Sequence, residues 1–561
     1  MSQSPHVDKA NLYASQVIDG TIPACWQIKA AAKRYFSDLK KSEELETYPF
    51  FFDSTAAEKV CRFVEALNHT KGKWADKKEY IVLEPWQCFF ICNVFGWKRH
   101  KNGKRRFRSA LLLVPRKNGK SILAAALGLY MQLADGEFGA EVYSGATTEK
   151  QAWEVFLPAK KMAETNEDLR THYGLQVNAK ALIKQSDNSK FQPVIGNPGD
   201  GASPSCAIVD EYHEHATDKM VDTMVTGMGA REQPLLLGIT TAGDNLAGPC
   251  YMWQKDAERI LDGTIENDEL FALIYTIDKD DDWSKEETIR KANPNYGVSI
   301  DPDFLLARLK EAKDNARKQA VYQTKHLNVW VGSRQAFFNQ LKWAECGNPK
   351  LQLSQFIGDP CIIGLDLSSK VDIAALSIVF TRDNGSYVVF NKHYLPESQV
   401  LISANEHYKT WDAGGWFNVT EGEMIDFRQI FDDILELCST YKVLEVAYDP
   451  YQATMLVTEL MAQGVPVIEV RPTVQNFSEP MKQLDALIRA KRLAHNGDPV
   501  LAWQIGNVVA KTDAKDNVYP RKERDESKID GVVSLLMALG RAMTQPEEID
   551  ISDFLSNPIR G

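Results

Sequence analysis

Short apolar runs and longer segments of helical period alternate along the first half of the chain. The apolar runs fall at 109–114, 141–146, 205–210 and 234–240. Each is the length of a strand, and the alternation predicts parallel strands joined by crossover helices. Residues 1–80 read as helical and mixed. Residues 250–332 are charged and mostly helical, with Asn293-Pro294-Asn295 as a breaker. Beyond a turn-rich stretch the rhythm changes. Cys361–Ser368, Ala374–Thr381 and Tyr387–Tyr394 are apolar runs joined by connections too short for a crossover, one of them Asp383-Asn384-Gly385-Ser386. They predict an antiparallel meander. Strands at Val443–Tyr448 and Val465–Val470 flank a helix at 452–463. Helices at 478–492 and 499–510, and one beginning near Asp530, complete the pattern.

The predicted organisation is therefore α/β twice over. A helical and mixed region, 1–80, is expected to pack on a mainly parallel α/β unit, 81–335, whose last part (250–335) forms a helical lid or linker. A linker at 336–355 leads to a second α/β unit, 356–561. No internal repeat is visible. A net charge of −11 excludes a wholly basic, nucleic-acid-coating protein but leaves room for a local basic channel. The nine cysteines sit mostly in apolar runs, which predicts buried, reduced thiols and a cytoplasmic protein. No apolar run reaches the length of a membrane span, and the N-terminus has no signal-peptide pattern, so no membrane association is expected.

Candidate chemistry enters at the end of the first strong strand. Residues 114–121 read Val-Pro-Arg-Lys-Asn-Gly-Lys-Ser and lead into the apolar helix Ile122–Leu127. Strand, tight loop, Gly-Lys-Ser and helix form a phosphate-binding arrangement, in which backbone N–H groups and the helix N-terminus cradle phosphate oxygens. Lys117, Asn118 and Gly119 line such a loop, Lys120 supplies the point charge and Ser121 a Mg²⁺ ligand. Val114 stands where the first glycine of the usual pattern belongs. Downstream, Cys206-Ala207-Ile208-Val209-Asp210-Glu211 is an apolar strand ending in two acids. Asp210 suits Mg²⁺ and Glu211 suits activation of the attacking water. Gly238-Ile239-Thr240-Thr241-Ala242-Gly243 gives a strand followed by small polar residues, with Thr240 and Thr241 placed to sense the γ-phosphate and couple it to nucleic acid. Gln87, in Leu83-Glu84-Pro85-Trp86-Gln87, is similar to an adenine-reading glutamine. Phosphoryl transfer is accelerated by an added cation, and Arg116 and Arg231 are both placed for it, in cis or toward a neighbouring subunit. The basic run at 98–108 is a candidate DNA-phosphate contact or a solvated hairpin. His213 and His215 read as local hydrogen-bonding residues rather than a metal cluster.

A second constellation lies in the C-terminal half. Asp366 sits in Ile362-Ile363-Gly364-Leu365-Asp366-Leu367-Ser368, Asp449 ends Leu444–Tyr448, and Asp530 opens an apolar helix. A carboxylate in so apolar a setting is costly unless paired or bound to a metal. Taken singly, Asp449 before Pro450 reads equally as a turn residue, and Asp530 as a helix N-cap. Three such acids from distant segments converge naturally on two divalent cations, Mg²⁺ or Mn²⁺, for phosphodiester cleavage. A first strand with Asp, a meander, a later strand ending in Asp and a final helix with Asp is the ribonuclease H-like order. Asp372 and Lys528 are secondary candidates, and 512–527 reads as a gating hairpin or an exposed loop.

With its Pro-Arg-Lys-Asn-Gly-Lys-Ser (115–121), Ile-Val-Asp-Glu (208–211), Thr-Thr-Ala-Gly (240–243), Asn-Pro-Asn-Tyr-Gly (293–297), Leu-Asp-Leu-Ser (365–368) and Tyr-Asp-Pro (448–450), the chain beyond about residue 80 resembles the large terminase subunit of tailed bacteriophages. The resemblance implies an ATP-driven motor that moves double-stranded DNA into an empty capsid and a nuclease that cuts concatemeric genomes. It implies a ring, commonly of five subunits, on the portal protein, a small terminase subunit as partner, and action in the cytoplasm of an infected bacterium. Deviant loops such as the one with Val114 fit that family. The rival readings are a helicase-like remodelling ATPase with a non-catalytic RNase H-like binding module, and a small-molecule kinase with an actin-like second half. The first needs a second motor domain, which the sequence does not offer. The second leaves the aspartate trio unexplained.

Overall fold

The computed structural model describes residues 3–195, 201–246, 248–331, 336–368, 372–402, 407–512, 516–522 and 527–544. The chain forms two compact units: Met1–Glu311 with Val321–Val331, and Ala312–Ala320 with Gly332–Gly561. Among the described residues, no helix is long and apolar enough to cross a membrane.

The first unit is built on an eight-stranded sheet. Its order is Leu270–Ile274, Ser109–Leu113, Leu235–Thr240, Cys206–Asp210, Glu141–Ala146, Ser189–Ile195, Leu182–Lys184 and Leu175–Val177. The first six strands are parallel and the last two antiparallel. Cys206–Asp210 and Leu235–Thr240 lie inside the sheet and every residue in them is buried, which is why they read as unbroken apolar runs. The helix Lys120–Leu133 packs on one face. Helix Pro85–Gly96 is buried on all sides, among Tyr13, Tyr35 and Phe271 from neighbouring elements. Two elements depart from expectation. The edge strand Leu270–Ile274 lies where the sequence predicts helix, and the 175–195 meander extends the far edge. A five-residue apolar run carries too little periodicity to separate strand from buried helix.

The second unit holds a seven-stranded sheet in the order Phe417–Thr420, Tyr387–Pro396, Ala374–Thr381, Pro360–Asp366, Lys442–Tyr448, Val467–Glu469, with Leu493–His495 also paired to Tyr387–Pro396. The three central strands form the expected antiparallel meander, and Lys442–Tyr448 and Val467–Glu469 continue parallel to Pro360–Asp366. Alternation along Pro360–Asp366 separates the two cores. Cys361, Ile363 and Leu365 pack with Ile430, Phe431 and Leu456. Ile362 packs on the opposite core with the helices Val474–Arg489 and Asp530–Ala542. Gly364 faces that second core. A Cβ there would lie 1.9 Å from the Ser534 carbonyl oxygen, so only glycine lets the helix carrying Asp530 come so near the strand carrying Asp366. The helix expected at 499–510 ends at Asn507, and the chain passes into a hairpin of Val508–Thr512 and Val518–Lys522. Much of the charged stretch 512–527 lies outside the described residues.

Candidate functional sites

The loop after Ser109–Leu113 is held from outside its own segment. Gly119 has φ +82° and Lys117 φ +72°, so the chain reverses sharply before helix Lys120–Leu133. The Asn118 side chain is fully buried. Its Nδ2 donates to the Pro115 carbonyl (3.1 Å) and to Asn293 Oδ1 (3.0 Å), and its Oδ1 accepts from the Asn295 backbone N–H (2.9 Å). Asn295 Nδ2 donates to the Asn118 carbonyl (3.1 Å), Trp86 Nε1 donates to Asn295 Oδ1 (2.7 Å), and Ser299 Oγ donates to the Lys117 carbonyl (2.6 Å). Asn293-Pro294-Asn295 is thus more than a helix breaker: it clamps the loop. Asn118, expected to bind nucleotide, has its side chain fully engaged in that clamp and leaves its backbone to the site. Gln87 accepts the Glu84 N–H through Oε1 (2.9 Å) in a capping box, and its Nε2 faces Gly119.

The acidic pair arrives from the neighbouring strands. Asp210 ends its strand and is buried, and Glu211 follows in the left-handed region at φ +48°. Lys120 Nζ lies 3.0 Å from Glu211 Oε1. Burial pushes Asp210 up to about 7, against the pull of Lys120. Burial also acts to raise Glu211, but Lys120, His213 and Lys325 outweigh it and hold that carboxyl below its ordinary value. The ring of His213 has no solvent exposure and spans this region. Its Nδ1 is 3.0 Å from Thr240 Oγ1 and 3.2 Å from Glu211 Oε2. Thr240 and Thr241 are both fully buried, and the Val114 N–H donates to the Thr240 carbonyl (3.1 Å). Ser121 is the second residue of the helix that Lys120 opens here. Asp210 is a hard oxygen donor buried beside an ammonium, the kind of group that would suit a divalent cation.

The two arginines differ. Arg231 donates to the carbonyls of Ser203, Phe138 and Gly139, which fixes its guanidinium. Arg116 is exposed, its backbone N–H donates to the Lys325 carbonyl (3.0 Å), and its guanidinium makes no hydrogen bond or ion pair among the described residues. The basic run is largely turned inward. Arg105 makes a bidentate pair with Asp135 (3.0 and 2.9 Å), and Arg106 binds Asp38 (2.8 Å) and Asp268 (2.6 Å) over the rings of Phe50 and Phe107. Those two residues are structural cations rather than DNA contacts. His213 and His215 form no metal cluster with other ligands among the described residues.

In the second unit the sheet gathers the three aspartates. Asp366 ends its strand, Asp449 follows the adjacent parallel strand with its N–H donating to the Leu365 carbonyl (3.3 Å), and Asp530 is the first residue of its helix. Ile529, not Asp530, is the N-cap residue of this helix, and the Asp530 Oδ2 is buried without a hydrogen-bond partner. One oxygen of Asp449 accepts the Tyr451 N–H (3.1 Å) and so also shapes the turn. Burial, then Asp530, Asp449 and Asp372, push Asp366 well above the carboxylate range. Burial and then Asp372 push Asp530 up to about 6, and burial with Glu469 raises Asp449. Lys528 pairs with Asp372. Hard oxygen donors that repel one another, one of them orphaned, fit divalent metal. Among the described residues no three acidic, His or Cys side chains lie close enough to ligate a single ion. Asp366, Asp449 and Asp530 are the residues that would hold divalent metal here.

A nucleotide loop on a parallel sheet and an aspartate trio on a ribonuclease H-like sheet together define an ATPase joined to a nuclease. The family model for the terminase large subunit, ATPase domain, matches residues 85–259, and that for the terminase large subunit, endonuclease domain, matches residues 264–546. The chain belongs to the terminase large subunit family. It is similar to protein YmfN of Escherichia coli K12, 43% identical over 372 residues, 64% of this chain and 82% of that protein. It is 26% identical over 518 residues to the large terminase subunit of Enterobacteria phage HK97, covering 90% and 99% of the two chains. The crystal structure of the HK97 bacteriophage large terminase aligns at 25% identity with a TM-score of 0.43, over 86% of this chain and 99% of that one. The protein is an ATPase and endonuclease of viral DNA packaging. It acts on DNA and uses a nucleotide and divalent metal. The helicase-like and kinase readings fall away.

Proposed function

We propose that the loop Arg116–Ser121 holds ATP with Mg²⁺. In this reading the backbone of Lys117, Asn118 and Gly119 cradles the phosphates, Lys120 neutralises the β/γ oxygens, and Ser121 and Asp210 hold the ion. Gln87 borders the loop on the base side. Glu211 activates the attacking water, and Thr240 and Thr241 couple the γ-phosphate to movement of double-stranded DNA. The observation that carries this reading is the approach of Lys120 Nζ to Glu211 Oε1, 3.0 Å, from two different strand ends. Without ATP these two charges neutralise each other. The triphosphate draws Lys120 away and frees Glu211 as a base. Arg116 is the stronger candidate for the finger that reaches a neighbour's nucleotide, since the Arg231 guanidinium is committed to three carbonyls.

In the second unit Asp366, Asp449 and Asp530 hold two Mg²⁺ or Mn²⁺ ions, whose role when bound is to activate water and stabilise the leaving oxygen. The trio cuts concatemeric DNA. The assembled enzyme is a homo-oligomeric ring, with five subunits, that docks on the portal of the procapsid in the cytoplasm of the infected bacterium and receives DNA from a small terminase subunit. Beyond the edge strand, residues 286–311, which carry the Asn293–Ser299 clamp, serve as lid to the nucleotide site. Plasmid cleavage with Mg²⁺ or Mn²⁺ tests the nuclease: Asp366→Ala abolishes it, and cleavage that survives the substitution removes the assignment. Glu211→Ala binds ATP but scarcely turns it over, and normal turnover removes Glu211 from the base role.

A further inference from the structure

His213 lies three residues beyond Asp210, in a short 3₁₀ turn, Tyr212–Glu214. Nothing in the roles above uses it. Its ring is enclosed, and every polar group around it belongs to the nucleotide site or the segment beside it. The His213 backbone N–H donates to Thr240 Oγ1 (3.1 Å), and ring Nδ1 approaches the same oxygen at 3.0 Å. Thr240 Oγ1 donates its own proton to the Thr241 carbonyl (2.9 Å), so toward His213 it accepts. Lys325 Nζ lies 3.1 Å from ring Nε2, and Glu214 Oε1 approaches that nitrogen at the same distance. The two oxygens facing Nδ1, Thr240 Oγ1 and Glu211 Oε2, both accept, so Nδ1 carries the N–H, and Nε2, between the Lys325 ammonium and the Glu214 carboxylate, accepts from Lys325 in the neutral ring. Lys325 also receives the Arg116 N–H at its carbonyl. One imidazole thus joins Thr240, the turn that carries Glu211 and the Arg116 loop.

The decisive detail is the second acceptor near Nδ1. Glu211 Oε2 is 3.2 Å away, buried, and has no well-aligned hydrogen bond in this state, while Oε1 is taken by Lys120. A single Nδ1–H stands between two oxygens and can satisfy only one with good geometry. We propose that His213 is a positioning residue with two alternative contacts. It donates to Thr240 while Lys120 holds Glu211. It turns to Glu211 when the triphosphate takes Lys120, releasing Thr240 and so reporting nucleotide occupancy to the coupling strand. This rests on the assignment of Glu211 as base.

The test uses the full-length chain and compares His213→Asn with His213→Gln. The Asn amide nitrogen takes the place of Nδ1 and keeps the switching donor. The Gln amide reaches only the place of Nε2. Gln matches the volume of histidine better than Asn does, so a purely packing role favours Gln. We expect His213→Gln to lower kcat for ATP about tenfold or more, with KM changed less than about threefold, and His213→Asn to retain the larger share of kcat. The reverse order overturns the proposal. Thr240→Val removes the acceptor at constant shape and probes the same contact if the His213 variants fold poorly. Combined with His213→Gln it should cost no more than the larger single loss. Additive losses, or Thr240→Val turnover within twofold of wild type, overturn the proposal. Glu211→Gln is measured alongside. Normal turnover there removes the base assignment whatever His213 does, whereas a dead Glu211→Gln with an indifferent His213 removes only the switch.

Discussion

Replacing Gly364 by alanine tests how the nuclease site is held together, and its consequence can be worked from distances. The added Cβ would lie 1.9 Å from the Ser534 carbonyl oxygen, 2.9 Å from the Ser534 carbonyl carbon and 3.0 Å from the Ala538 nitrogen. All three atoms are backbone of helix Asp530–Ala542, so no side chain can swing aside. A comfortable carbon–oxygen contact needs roughly 3.3 Å, so strand and helix must part by more than about 1 Å. Overpacking of this kind costs about 1–3 kcal/mol or more. The chemical cost is larger, because the two elements that separate carry Asp366 and Asp530. A displacement near 1 Å between reacting groups can lower a rate about 100-fold. The assay is plasmid nicking with Mn²⁺, with ATP turnover in the same preparation as the folding control and a melting curve for stability. Cleavage should fall about 100-fold, melting should drop by several degrees, and ATP turnover should persist. Cleavage within threefold of wild type at an unchanged melting temperature would refute the claim that this close approach sets the site.

Asn295→Ala removes the side chain that links Trp86 and the Asn118 carbonyl, and should raise KM for ATP about tenfold while leaving DNA cleavage intact, as read by steady-state ATPase and nicking assays. Arg105→Ala strands buried Asp135 and should destabilise the first unit by about 3–5 kcal/mol. Its DNA affinity at a temperature where it stays folded should match wild type, as measured by filter binding. Burial lowers His215 from 6.5 to about 4, and burial with Arg116 and Arg308 does the same for His326. The unfolded chain therefore takes up these protons first on acidification. The stability that these rings contribute is complete above pH 6.5 and is lost as pH falls toward 4. The slope reaches up to about 1.4 kcal/mol per pH unit for each ring. Urea melts between pH 7 and 4 should show it, and His215→Phe should remove one ring's share of the slope.

The parts of both sites that were legible in the sequence share one cause. Asp210 and Asp366 each end a buried strand, and an apolar run ending in an acid is a local signal; Asp449 follows a partly exposed strand, Lys442–Tyr448, and was legible from the local turn Tyr448-Asp449-Pro450. Lys120 was legible because a glycine turn and a helix start must be adjacent to it. What escaped detection depends on partners far away in sequence. The Asn118 amide pairs with Asn293, 175 positions on. No periodicity encodes such a pair, so Asn293-Pro294-Asn295 showed only its local property of stopping a helix. Arg105 and Arg106 looked solvated because their acids, Asp135, Asp38 and Asp268, lie elsewhere in the chain. His213 carried no signal beyond its closeness to Glu211.

The clamp on the nucleotide loop also sets an order of events during synthesis. The matched ATPase segment ends at residue 259, yet the Asn293 and Asn295 amides that hold Asn118 and the Ser299 hydroxyl that holds the Lys117 carbonyl lie beyond it. The strand that flanks Ser109–Leu113 at the sheet edge, Leu270–Ile274, also lies past that point. A nascent chain that has reached only residue 259 has every residue proposed to cradle phosphate but none of the braces from 293–299. On the proposed assignment of this loop to ATP, its braces are complete only after about forty more residues have emerged, when translation has already passed into the endonuclease domain.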